Sequence, residues 1–279
     1  MGRIGFGAMQ LPGPGVFGPP RDHPTALAVL RRAVELGVNH IDTAQYYGPD
    51  VANQLIHEAL HPYPDDLVLV SKVGAARDSD GKWIPAQRPE QLRQGVEENL
   101  RSLSVERLDV VNLRLMDEDE RSRPADVPLE EQLGTMAELR DEGKIAGIGL
   151  SNATLEQVGA GLAQTGIACV QNQLNLLQRD SEPVLELCVE KGVAFVPFFP
   201  LGSAFKGMPK VSEHPLVREI AARLEATPAQ VGLAWLLAHS PDILLIPGTA
   251  SLAHLEENLG ARELELDAQA LASLDGLAG

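Results

Sequence analysis

Eight short apolar, β-branched runs recur along this chain, and each is followed by a longer segment with helical spacing. The runs are Ile4–Phe6, His40–Asp42, Leu67–Lys72, Leu108–Leu113, Ile145–Leu150, Cys169–Gln173, Ala194–Phe198 and Ile243–Ile246. They are nearly all apolar rather than alternating, which predicts strands buried on both faces, as in a parallel sheet wrapped by helices. Two architectures repeat a βα unit in this way: a closed barrel and an open doubly wound sheet. The open sheet needs a glycine-rich turn running straight into a helix after its first strand. Here that strand is followed by GAMQLPGPGVFGPP, whose prolines forbid an immediate helix. The expected fold is therefore an α/β (β/α)8 TIM barrel with an extra C-terminal helix, one domain spanning residues 1–279.

Helix boundaries are signalled in several places. Leu27, Leu30, Ala33 and Val34 form an apolar stripe that Gly37 ends, and Gly143 and Gly192 end two further helices. Thr154 with Gln157 predicts a capping box, and Thr227-Pro228 a cap before a first-turn proline. No apolar run approaches the roughly 20 residues of a membrane helix, and the N-terminus lacks a signal-peptide pattern. The two cysteines, Cys169 and Cys188, lie in apolar segments, so a reducing cytoplasm is the expected compartment. The net charge of −16 argues against nucleic acid or an anionic membrane as a partner. Histidine and cysteine spacing offers no metal site; His57 and His61 read as exposed helix residues.

A barrel places its active site at the C-terminal ends of the strands. Five successive strands end in polar groups: Asp42, Lys72, Arg114, the Ser151-Asn152 pair and Gln171. Tyr47 follows Asp42 in the loop. A phenol, an ammonium and a carboxylate can form a chain in which the lysine lowers the tyrosine pKa and the aspartate holds the lysine. Each residue also has a plain structural reading. Asp42 can cap a turn, Lys72 can be a solvated strand end, and Tyr47 can be a packed aromatic. A strand-end lysine would also suit an aldolase-type barrel acting through a Schiff base.

The segments GFGAMQL, IDTAQYYG, LVSK, DVVNLRLM, IGLSN, VQNQLN, PFFPLG and IPGTASLAHLEEN, in this order and spacing, resemble the aldo-keto reductase family. The resemblance covers nearly the whole chain and implies an NAD(P)H-dependent barrel enzyme acting on a small-molecule aldehyde. It implies that Asp42, Tyr47 and Lys72 belong to a catalytic tetrad, with Tyr47 as general acid. Most relatives have histidine as the fourth member, where this chain has Arg114. Arginine is permanently charged, with a planar fork of donors suited to an anionic or phenolic group. Within the family, the chain is most similar to the bacterial pyridoxal reductases, which reduce pyridoxal to pyridoxine with NADPH.

The resemblance also implies the cofactor residues. Ser151, Asn152 and Gln171 would bind the nicotinamide carboxamide, and Phe198 would stack on its ring. Leu201, Gly202 and Ser203 would approach the pyrophosphate. Gly248, Thr249, His254 and Asn258 would surround the adenosine 2′-phosphate. Gly248 and His254 stand where many relatives carry a lysine and an arginine. NADPH is the implied cofactor, with NADH as the alternative, and weaker 2′-phosphate binding is expected. The competing functions are a general aldehyde or ketone reductase and a nucleotide-binding regulatory subunit without turnover. Relatives carry an N-terminal stretch ahead of the first barrel strand, so a floor closed differently, or a start further upstream, is expected here. The loops expected to shape the substrate site are Val16–Pro20, Ala75–Ile84 with Trp83, Met116–Asp126 and Ala204–Pro209.

Overall fold

The computed structural model describes residues 1–116, 127–202 and 209–277. In chain order, β1 (Phe6–Gly7) leads to α1 (His23–Glu35), and β2 (His40–Asp42) to α2 (Val51–Leu60). β3 (Val68–Arg77) turns back through β4 (Trp83–Ala86) before α3 (Pro89–Leu103). β5 (Leu108–Arg114) leads to α4 (Leu129–Asp141), β6 (Ile145–Ser151) to α5 (Leu155–Gln164), and β7 (Cys169–Gln171) to α6 (Glu182–Lys191). β8 (Ala194–Phe195) is followed by α7 (Pro215–Arg223), α8 (Pro228–His239), α9 (Leu252–Gly260) and α10 (Ala268–Asp275). The sheet order is β1-β2-β3-β5-β6-β7-β8, with every step on this path parallel.

Residues 243–246 close the ring between β8 and β1. Leu244 N donates to Phe195 O at 2.9 Å, Gly5 N donates to Leu245 O at 2.8 Å, and Leu245 N donates to Arg3 O at 2.8 Å. Only isolated parallel bridges form there, Ile4 to Leu245 and Phe195 to Ile243. Pro241 and Pro247 bracket this segment and remove two backbone donors, so the ladder stays short. The barrel interior follows the two-residue period of its strands. Its cavity of about 90 Å³ is lined by His40 and Asp42, Val110 and Asn112, and Cys169 and Gln171, each pair two residues apart. Met1 also lines this cavity. Beside it, Arg3 donates to Leu237 O at 2.9 Å and to Ser240 O at 2.5 Å. Both cysteines are buried, and burial pushes the Cys169 thiol up to about 12.

The expected caps form. Thr154 and Thr227 each make a reciprocal capping box, and Gly192 ends α6 in the left-handed region at φ 65°. Two regions differ from expectation. The 75–84 stretch is no loop: β3 runs on to Arg77 and pairs antiparallel with β4. The seventh and eighth strands end early, at Gln171 and Phe195; beyond them only an isolated parallel bridge forms, Gln173 to Phe198. The C-terminal end is helical, in keeping with the extra helix expected there: α10 follows α9 and is capped by Asp267, whose side chain accepts from Ala270 N.

Close packing inside the barrel leaves no room at Gly149, where a Cβ would lie 2.0 Å from Asn112 Oδ1 and 2.9 Å from Cys169 Sγ. Gly149→Ala is expected to destabilise the fold by about 1–3 kcal/mol, read by denaturant unfolding.

Candidate active site

The strand ends bring the polar groups together at one mouth. Lys72 donates to Asp42 Oδ1 and, at 3.0 Å, to Thr43 O. Gln171 Nε2 donates to Asp42 Oδ2 at 2.8 Å. The Tyr47 ring lies 5.1 Å from Lys72 Nζ, and Tyr47 and Asp42 line the same groove of about 470 Å³. Arg114 pairs in register with Ser151, and Ser151 with Gln171, so three strand ends stand level.

The electrostatics differ from expectation in one respect. Burial, the largest effect, and the neighbouring Asp42 raise the Tyr47 pKa above the ordinary phenol value, and the cation that opposes them is Arg114. Lys72, 5.1 Å from the Tyr47 ring, is held by Asp42 in a buried ion pair. The phenol is therefore held protonated, in the state that donates a proton.

A second layer fixes these residues. Thr43 Oγ1 donates to Asn53 Oδ1 at 2.8 Å, and Asn53 Nδ2 donates to Asn99 Oδ1 at 2.9 Å. Ser71 Oγ donates to the same Asn99 oxygen at 2.6 Å, and Asn99 Nδ2 donates to Gly95 O at 2.8 Å. Asn53, Asn99 and Ser71 are wholly buried. Thr43 and Ser71 adjoin Asp42 and Lys72 in sequence, so this network ties α2 and α3 to the two strand ends that carry the ion pair.

Most of the expected cofactor residues share the groove with Asp42 and Tyr47. Gln171, Phe198, Leu201, Gly202, Gly248, His254 and Asn258 all line it. Thr249 lines an adjoining cleft of about 610 Å³. The two cavities adjoin, with Met9, Gln10, Phe199 and His254 lining both. Ser151 is buried with its hydroxyl unpartnered. Asn152 stands apart: its Nδ2 donates to Leu115 O at 3.1 Å, and it lines a separate cavity with Asp180 and Ser181. Its φ of 60° and the φ of 51° at Phe199 are strained left-handed conformations, each costing about 1–3 kcal/mol. Ser203 and the expected loop positions 117–126 and 204–208 lie outside the described residues.

The glycine at 248 has a local cause. A Cβ there would lie 2.4 Å from Gly7 O, so β1 and the 246–248 backbone approach too closely for a side chain. The groove gains Lys210 and Ser212, which the sequence analysis missed; Lys210 Nζ lies 3.0 Å from Glu213. The Pro209-Lys210 stretch carries no periodic signal, so only the tertiary fold reveals it. Tyr46 was also missed. Its hydroxyl is buried and unpartnered, and its ring meets Tyr47 edge-on with centroids 5.5 Å apart.

Such a site can pair a buried proton donor with a groove wide enough for an extended nucleotide, the outline of a carbonyl oxidoreductase. The chain matches the Aldo/keto reductase family over residues 3–278, and it belongs to that family of oxidoreductases. It is 50% identical over 275 residues to pyridoxine 4-dehydrogenase of Escherichia coli, covering 99% of this chain and 94% of that protein. It is 30% identical to the probable aldo-keto reductase 1 of Glycine max, covering 98% and 84% of the two chains. Among solved structures, an aldo/keto reductase from Klebsiella pneumoniae in complex with NADP and acetate superposes with a TM-score of 0.80 at 27% identity, covering 99% of this chain and 90% of that one. The thermostable aldo-keto reductase Tm1743 superposes with a TM-score of 0.84 at 30% identity, covering 100% and 96%.

Asn99→Leu would leave the Ser71 hydroxyl without its partner and take from the Asn53 amide one of two acceptors, the other being Ser102 Oγ at 2.9 Å. The group left unpartnered is expected to cost about 1–3 kcal/mol, measured by chemical denaturation.

Proposed function

We propose that this chain reduces pyridoxal to pyridoxine with NADPH, with Tyr47 as the general acid. The observation that carries the reading is the Tyr47 phenol, held protonated on the wall of the groove between the Asp42–Lys72 pair and Arg114. The 50% identity to a pyridoxine 4-dehydrogenase supports the substrate.

The residues present fit a nicotinamide dinucleotide. The orphaned Ser151 hydroxyl and the free carbonyl oxygen of Gln171 can take a carboxamide, which needs a donor and an acceptor. Phe198 offers a flat face in the groove. Gly7, Gly202 and Gly248 line the groove with backbone that would be open to a pyrophosphate. His254, Asn258, Lys210 and the N-terminus of α9 offer donors to the far phosphate. When bound, the reduced cofactor supplies a hydride to the carbonyl carbon.

The protein's part follows from its geometry. Tyr47 donates its proton to the carbonyl oxygen as that oxygen gains negative charge. Lys72 and Asp42 form a fixed pair of charges beside the phenol, so little reorganisation accompanies the transfer. Arg114 stabilises the developing oxyanion or the 3-hydroxyl of pyridoxal, which its permanent charge favours as phenolate.

Purified protein with pyridoxal is expected to consume NADPH, followed by its absorbance. Tyr47→Phe is expected to lower that rate by about 10²–10⁴-fold. NADPH binding without any aldehyde turnover would favour a regulatory subunit instead. A donor must be protonated to act, and a raised pKa keeps it so. Reduction should therefore not lose its acid form below about pH 10, the free phenol value, and the pH–rate profile checks this. In Arg114→His, the KM for pyridoxal is expected to rise about tenfold relative to that for benzaldehyde. Equal behaviour of the two substrates would remove the 3-hydroxyl from the role of Arg114.

A further inference from the structure

The barrel does not need β4, which pairs only with β3. Yet this hairpin carries a half-buried indole to the reacting corner. The Trp83 ring lies 5.3 Å from the Tyr46 ring and 6.5 Å from the Tyr47 ring, nearly perpendicular to both. The Arg114 guanidinium is 6.0 Å from the same indole.

One residue holds this arrangement. The Arg77 guanidinium lies 4.0 Å over the Trp83 ring and 5.6 Å from the Phe17 ring. Its Nη2 donates to Gly15 O at 2.5 Å and to Val16 O at 2.8 Å. The 13–18 loop is joined in turn to the segment after Tyr47. Gly18 N donates to Gly48 O at 2.9 Å, and Gly48 N donates to Val16 O at 3.2 Å. Val16 has a φ of 60°, which a β-branched residue adopts only where its surroundings enforce it. The other side of this loop lines the cofactor-sized cleft through Gly13, Pro14 and Gly15.

We propose that Trp83 is the specificity-determining wall of the substrate site, selecting flat aromatic aldehydes, and that Arg77 is the positioning residue that fixes it by tying the hairpin to the 13–18 loop. The inference rests on the reading of Tyr47 and Arg114 as the reacting corner. The physical basis is that an indole clamped on one side keeps its orientation, and aromatic rings gain from offset or edge-on contact beyond simple burial. A planar guanidinium can stack its face on the indole while its Nη2 donates to two carbonyls; the compact ammonium of lysine offers no flat face for that stack.

The test uses two independent arms. Trp83 and Trp235 are the only tryptophans, so Trp235→Phe makes Trp83 the sole emitter. In that background, quenching of Trp83 by pyridoxine, which forms no Schiff base, gives a Kd without turnover. Arg77→Gln and Arg77→Lys are both expected to raise this Kd about three- to tenfold. In the kinetic arm, Trp83→Leu is expected to raise the KM for benzaldehyde by a similar factor, about three- to tenfold, and that for propionaldehyde less than about twofold. Equal rises for the two aldehydes overturn the proposal, as does an unchanged pyridoxine Kd in a folded Arg77→Gln. Should the Arg77 variants fail to fold, the Trp83→Leu kinetics decide. A parent chain that turns over benzaldehyde but does not bind pyridoxine fails the pyridoxal reading, and the benzaldehyde arm then decides this one. A parent chain that binds pyridoxine but reduces no aldehyde fails the reductase reading, and the Kd arm decides. A chain that does neither overturns both.

Discussion

Asp42 and Lys72 bring two opposite charges almost wholly out of water, with 4% and 3% of their surfaces exposed. Burying ions is costly, and their mutual attraction offsets the cost only when the remaining hydrogen-bonding positions are filled. Here they are. Lys72 also donates to Thr43 O, and Asp42 also accepts from Gln171. Losing either partner would leave an uncompensated buried charge, at a cost of about 3–5 kcal/mol. The pair thus joins β2, β3 and β7 at the point where the chemistry is expected. It also explains why Thr43, Asn53, Asn99 and Ser71 form a closed network behind it: a slack backbone at Thr43 would unseat the lysine.

The charge distribution serves the same site. The chain carries a net charge of −16, which repels anions at a distance. Its mouth is locally different, with Arg77, Arg114 and Lys210 around the reacting corner and the groove. Exposed pairs elsewhere, such as Arg93 with Glu138 and Glu142, add little to stability because water screens them. The fold rests on the continuous apolar core between barrel and helices, and the cations at the mouth are left for function.

The barrel was legible because its signals are local and periodic. Apolar runs three to six residues long mark the strands, and caps such as Thr154 and Thr227 mark helix starts. The β3–β4 hairpin was not legible. Its turn reads as polar loop through Asp78, Ser79 and Asp80, and β4 is only four residues long with a proline inside it. Residues 243–246 read as a full strand, yet flanking prolines reduced them to isolated bridges. Of the site, Asp42, Tyr47, Lys72 and Gln171 were legible as strand-end or near-end polar groups. Lys210 and Tyr46 were not, since neither lies at a strand end nor follows a period.

The sequence by itself determined the order of the βα units and most of the polar groups that reach the mouth. These follow from spacing along the chain, so no distant contact is needed to read them. The tertiary structure alone decided which atoms meet. Gln171 reaches Asp42 across 129 positions, Gly248 lies against Gly7, and Arg77 bridges the hairpin to the 13–18 loop. It also decided that Lys72 pairs with Asp42 and that Arg114 comes near enough to lower the pKa of Tyr47. Electrostatic effects depend on distance and burial in three dimensions, and neither quantity is written in the spacing of residues along a chain.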